Sequence, residues 1–225
     1  MTALLEARGL GRRALDPAGH EGPWLLREIS VALEPGERVA VVGPSGAGKT
    51  LLLRSLALLD PLDEGEVLWR AESIPDDMVP AYRRQAIYLH QRPALLEGTV
   101  EANLRRPFDF AVADGGYDPG RVRELLSALG RDEGFFARPT GELSGGEAQI
   151  AAFLRAIQLE PCVLLLDEPT AALDREAVTA IERLVEGWFG AGSGERALVW
   201  VSHDADQARR MTTRVVRLSA GRMAA

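Results

Sequence analysis

One octapeptide, Gly43-Pro44-Ser45-Gly46-Ala47-Gly48-Lys49-Thr50, constrains this chain more than any other segment. The β-branched run Arg38–Val42 precedes it, after a turn at residues 34–37, and a helical pattern over residues 49–59 follows it. Glycines let a backbone curl so that successive N–H groups converge on an anion, and the following helix adds its positive N-terminal end. In the spacing G-x4-G-K-T, Lys49 can reach the β- and γ-phosphates of a nucleotide, and the Thr50 hydroxyl can bind Mg²⁺. Gly43, Pro44, Ser45, Gly46, Ala47, Gly48, Lys49 and Thr50 are therefore the candidate nucleotide-binding residues.

Lys49 carries a second signal. Of 26 basic residues it is the single lysine, and all the others are arginine. Codon bias of this kind replaces lysine wherever a positive charge alone is enough. Lys49 marks a position that needs a compact, flexible ammonium, where a planar guanidinium fails.

Strand-like and helix-like runs alternate beyond this segment. Residues 163–166 form a continuous apolar run, as expected of a strand buried on both faces. Ala197–Val201 and residues 214–218 read as two more strands, and residues 175–189 repeat apolar side chains at helical spacing. The pattern predicts an α/β fold with a mostly parallel sheet. Residues 92–160 differ, with helical patterns at 100–104, 121–129 and 146–159 and a Gly/Asp/Pro-rich stretch at 113–120. They read as a helical subdomain inserted into a single domain whose core is residues 1–91 and 161–225. Residues 14–23, with four Pro and Gly, read as a surface loop.

The apolar run that begins after Cys162 ends on Asp167-Glu168-Pro169. Two carboxylates at a strand tip are costly to bury unless a cation compensates. Mg²⁺ held by Asp167 supplies that compensation, and Glu168, one residue farther out, can act as general base on a water aligned with the γ-phosphorus. Cys162 reads as a small buried hydrophobe.

Composition removes several classes. A chain of 225 residues, 46% hydrophobic and with net charge −7, is globular and argues against a general nucleic-acid binder. No apolar run approaches the roughly 20 residues of a membrane span, and no secretory signal opens the chain. One cysteine excludes an internal disulfide. The expected location is cytoplasmic.

Many nucleotide-binding proteins share these two features, so the class comes from Leu143-Ser144-Gly145-Gly146-Glu147-Ala148-Gln149. It opens an amphipathic helix with a second anion-receptive N-terminus. Two chains arranged head-to-tail would use both sites, the loop of one facing Ser144, Gly145, Gly146 and Glu147 of the other across the γ-phosphate. The segment resembles the signature motif of ATP-binding-cassette (ABC) ATPases. That resemblance implies further roles in chain order. Gln91 looks like the Q-loop glutamine, which contacts Mg²⁺ and the attacking water. Asp174, in Ala171-Ala172-Leu173-Asp174, looks like part of the D-loop at the dimer seam, and His203 looks like the switch histidine on the γ-phosphate. It also implies an antiparallel β part at the N-terminus. Family members stack an aromatic on adenine; here Trp24 and His20 are the only candidates. Glu147 stands where Gln is commonest, and Ile150 where a basic residue is frequent.

The resemblance implies ATP-driven homodimerisation around two ATP–Mg²⁺ and hydrolysis of ATP to ADP and phosphate. It implies a separate integral-membrane permease that holds the chain at the inner face of the cell membrane. Gly98-Thr99-Val100-Glu101-Ala102-Asn103-Leu104 and Leu198-Val199-Trp200-Val201-Ser202-His203-Asp204 look similar to FetA-type subunits, implicated in iron export. The alternatives are an ABC ATPase acting on nucleic acid or ribosomes, and one in envelope or cell-division signalling. The net charge of −7 and the absence of a heptad run weigh against nucleic acid.

Overall fold

The computed structural model describes residues 2–15, 21–110, 115–171 and 173–224. The chain opens with a long hairpin, β1 (Leu5–Leu15) and β2 (Glu21–Leu33), followed by β3 (Arg38–Val42), α1 (Lys49–Leu56), β4 (Glu64–Trp69) and the two-residue β5 (Glu72–Ser73). Next come α2 (Val79–Gln85) and β6 (Ala86–Leu89), then α3 (Val100–Arg105), α4 (Pro119–Ala128), α5 (Gly134–Ala137) and α6 (Gly145–Ile157). The chain then runs through β7 (Val163–Asp167), α7 (Arg175–Ala191), β8 (Ala197–Val201), α8 (Ala205–Met211), β9 (Arg214–Ser219) and β10 (Arg222–Ala224).

Two sheets result. One is antiparallel, in the order β2-β1-β4-β5; the other runs β10-β9-β3-β8-β7-β6 and is parallel except at its β10 edge. β7 and β8 are buried along their whole length, and their alternating side chains separate two cores. Val163, Leu165, Val199 and Val201 pack with α1 and the antiparallel sheet. Leu164, Leu166, Leu198 and Trp200 pack with α3, α4, α6 and α7. That double burial explains the unbroken apolar runs.

Two readings need correction. Within residues 14–23, those at 14–15 and 21–23 are strand, not loop: Leu15 pairs with Glu21 and Arg13 with Trp24. Gly22 permits this, because a Cβ there would meet the Ala14 carbonyl. The helix expected over 49–59 stops at Leu56, and Leu58 turns left-handed at φ 53°.

Candidate functional site

Parallel strands of one sheet end on the same side, so the tips of β3, β6, β7 and β8 converge. A cavity of about 510 Å³ lies there, lined by Gly46, Lys49, Thr50, Gln91, Glu168 and His203, among others. The loop from Gly43 is held tightly: a Cβ on Gly43 would meet the Leu218 carbonyl, and Gly48 sits at φ 98° against Leu26. Only glycine fits both positions. Lys49 is 7% exposed, and its Nζ donates to the carbonyls of Gly43 (2.9 Å) and Pro44 (3.1 Å). An ammonium has three N–H donors, so one remains for a phosphate oxygen.

Glu168 is where three of the expected residues meet. Gln91 Nε2 donates to its Oε2 at 3.1 Å, and His203 Nε2 lies 2.6 Å from its Oε1. Its backbone is left-handed, φ 48°, with its N–H bonded to the Val201 carbonyl at 3.1 Å. A non-glycine residue held in that region stores backbone strain, a feature that concentrates at functional sites.

Asp167 is 2% exposed, and among the described residues its side chain has one hydrogen-bond donor, the Tyr88 hydroxyl at 3.1 Å. A buried carboxylate so sparsely compensated suits a cation. With the Thr50 hydroxyl and the Gln91 amide oxygen, the donors are all oxygen, which fits Mg²⁺ completed by phosphate and water. No group of three or more His, Cys, Asp or Glu among the described residues forms a protein-only metal cage.

Other expected residues lie elsewhere in the single chain. Ser144 caps α6, accepting from Glu147 N, while Glu147 accepts from Ser144 N at 2.9 Å, a reciprocal capping box that opens on Gly145 and Gly146. Arg138 also pairs with Glu147, and these contacts, the Ser144 N–H first, pull its carboxyl down to about 2. A depressed carboxylate stabilises the fold above its ordinary value and loses that contribution as pH falls through the folded value. Glu147→Gln is therefore expected to melt below wild type at pH 7. The gap should close between pH 4.5 and about 2, as read by melting temperature against pH. Asp174 caps α7 through Ala177 N at 2.8 Å and faces a separate cleft with Arg131 and Arg183.

Trp24 does not reach the cavity. Its ring is covered by Arg13, 3.9 Å from the ring centroid, and Leu25, the next residue on the strand, lines the cavity instead. His20 lies outside the described residues. Cys162 is only partly buried, and its thiol donates to Gln85 at 3.1 Å.

Residue patterns gave no sign of Gln207. It is 4% exposed; its Oε1 accepts from Ser202 Oγ (2.9 Å) and Trp200 Nε1 (3.3 Å), and its Nε2 donates to Glu182 (2.9 Å) and Thr170 (3.0 Å). It ties the loop after Glu168 to the one that carries His203.

A glycine-rich loop on one parallel strand and an acidic tip on another define a P-loop nucleotide-binding protein. Comparison with known proteins narrows the class. A family model described as ABC transporter matches residues 26–171. An Fe(3+)-ion import ATP-binding protein of Rhodococcus jostii is 35% identical over all of this chain and 62% of its own length. A phosphate import ATP-binding protein of Natronomonas pharaonis is 34% identical over 91% of this chain and 75% of its own. The dimeric structure of MJ0796, a bacterial ABC transporter cassette, superposes with a TM-score of 0.86 at 26% identity, covering 98% of this chain and 97% of that one. The chain belongs to the ABC transporter family. It spans about three-fifths of the length of the iron-import relatives it matches. Among the described residues, no helix is long and apolar enough to cross a membrane.

Proposed function

We propose that this chain is the ATP-binding and ATP-hydrolysing subunit of a transporter, and that it closes as a homodimer around ATP to drive a separate membrane permease. The observation that carries the reading is the meeting of Gln91 and His203 on Glu168 in the cavity that Lys49 and Thr50 also line. The loop N–H groups and Lys49 bind the phosphate chain. Glu168 takes a proton from water as the water oxygen bonds to the γ-phosphorus and the bond to ADP breaks. His203 Nε2, which meets Glu168 in the absence of nucleotide, would turn its one N–H to the γ-phosphate when ATP is bound, while Gln91 places the water. Thr50, Asp167 and Gln91 would hold Mg²⁺, which when bound would neutralise charge on the phosphates. Ser144, Gly145, Gly146 and Glu147 would complete the partner protomer's site, with Asp174 at the seam.

Residues 92–160 form the helical subdomain that receives the permease. A groove of about 410 Å³ supports this: Leu96 and Phe110, 54% and 59% exposed, sit on it beside Arg83 and Arg155. The chain is cytoplasmic and peripheral to the membrane through this partner. No nucleic acid is expected of a chain with net charge −7. For cargo, the relatives named above import inorganic ions, which favours uptake of an inorganic ion over the iron export that the FetA-type resemblance implies.

The test is affinity capture of tagged Glu168→Gln with ATP from detergent-solubilised membranes. Recovery of one multi-span protein is the expected result. Ribosomes or nucleic acid with no membrane protein would overturn the transport reading. Leu96→Ser with Phe110→Ser should cut that recovery at least about tenfold without changing ATP affinity, since each buried apolar side chain contributes about 1.5–3 kcal/mol.

A further inference from the structure

Asp167 ends β7 on the face shared by Val163 and Leu165, which is the face of α1 and its phosphate loop. β6 lies alongside in parallel register, Tyr88 opposite Leu165 and Leu89 opposite Leu166. Tyr88 thus shares the face but starts two positions short of Asp167. Its phenol leans along the strands toward their C-terminal ends, and its hydroxyl reaches Asp167 Oδ2 at 3.1 Å. The ring is half-buried and fixed edge-on to His90, with centroids 6.0 Å apart and planes at 70°. A tyrosine ring has two side-chain torsions, so such contacts leave it little freedom.

We propose that Tyr88 is a positioning residue for the magnesium side of the site: its hydroxyl pins Oδ2 of Asp167 and leaves Oδ1 to the ion that accompanies the nucleotide. The assignment rests on the nucleotide-binding reading above. A carboxylate with both oxygens free rotates about its terminal torsion; one held by a fixed donor presents the other in a set plane. A phenol carries its proton at neutral pH, so its hydroxyl donates to the carboxylate and the carboxylate accepts. Partners of metal ligands typically account for 10–100-fold in metal affinity.

Tyr88→Phe keeps the ring and removes one oxygen. The experiment is calorimetric titration of the full chain with the non-hydrolysable analogue AMPPNP, once in excess EDTA and once in Mg²⁺. It uses wild type, Tyr88→Phe and, as a floor, Asp167→Asn. Tyr88→Phe should bind within about twofold of wild type in EDTA, while the affinity gained on adding Mg²⁺ should shrink about tenfold. A gain equal to that of wild type would overturn the assignment. So would equal weakening in both buffers, which would make Tyr88 a packing residue. If wild type binds no AMPPNP in either buffer, the nucleotide-binding reading itself fails. If wild type binds but gains nothing from Mg²⁺, only the magnesium assignment fails.

Discussion

Lys49→Ala is expected to weaken ATP binding by at least about 100-fold, the equivalent of about 2.7 kcal/mol. The ammonium is nearly buried, and the Gly43 and Pro44 carbonyls hold it inside the curl of its own loop. It is therefore placed without further ordering, and each charge-assisted bond it makes to phosphate contributes about 1.5–3 kcal/mol. Lys49→Arg should fail as well, because a planar fork does not fit where one nitrogen meets two carbonyls from adjacent residues. With no other lysine in the chain, an amine-reactive acyl phosphate of ATP should modify this one side chain, and ATP should protect it. Unchanged ATP affinity in Lys49→Ala would sink the assignment of the loop.

Glu168→Gln is expected to slow phosphate release by about 10²–10⁴-fold while leaving ATP affinity near that of wild type. The amide has the shape of the acid but cannot take the proton of water. Its oxygen can still accept from His203 or Gln91, so the loop conformation at φ 48° should persist. The effect then falls on turnover and not on binding, which single-turnover phosphate release beside a binding titration would separate. Wild-type turnover in this variant would mean that the proton goes elsewhere, and His203 would be the next group to replace.

Much of the site was legible because each part is a short, local stretch. The phosphate loop, the acidic end of β7 and the cap of α6 each specify their geometry within about eight residues. What escaped depends on pairing across the chain. Tyr88 and Asp167 are 79 residues apart, and Gln207 and Thr170 are 37 apart; no periodicity in either segment announces the contact. Trp24 shows how little is needed to mislead. Successive residues of a strand point to opposite faces, so one step along β2 puts Leu25 in the cavity and Trp24 beneath Arg13. The loop expected over residues 14–23 gives way to strand at both of its ends for a similar reason. Its Pro and Gly residues signal a turn, but pairing to β1 and the close approach at Gly22 carry the strands to Leu15 and Glu21.

The central claim, that two copies close around ATP, is tested most directly by the solution mass of Glu168→Gln with no nucleotide, with ADP, and with ATP, each in Mg²⁺. The account predicts a 24.4 kDa monomer in the first two conditions and twice that mass with ATP alone. A monomer in all three, or a dimer indifferent to nucleotide, would contradict it.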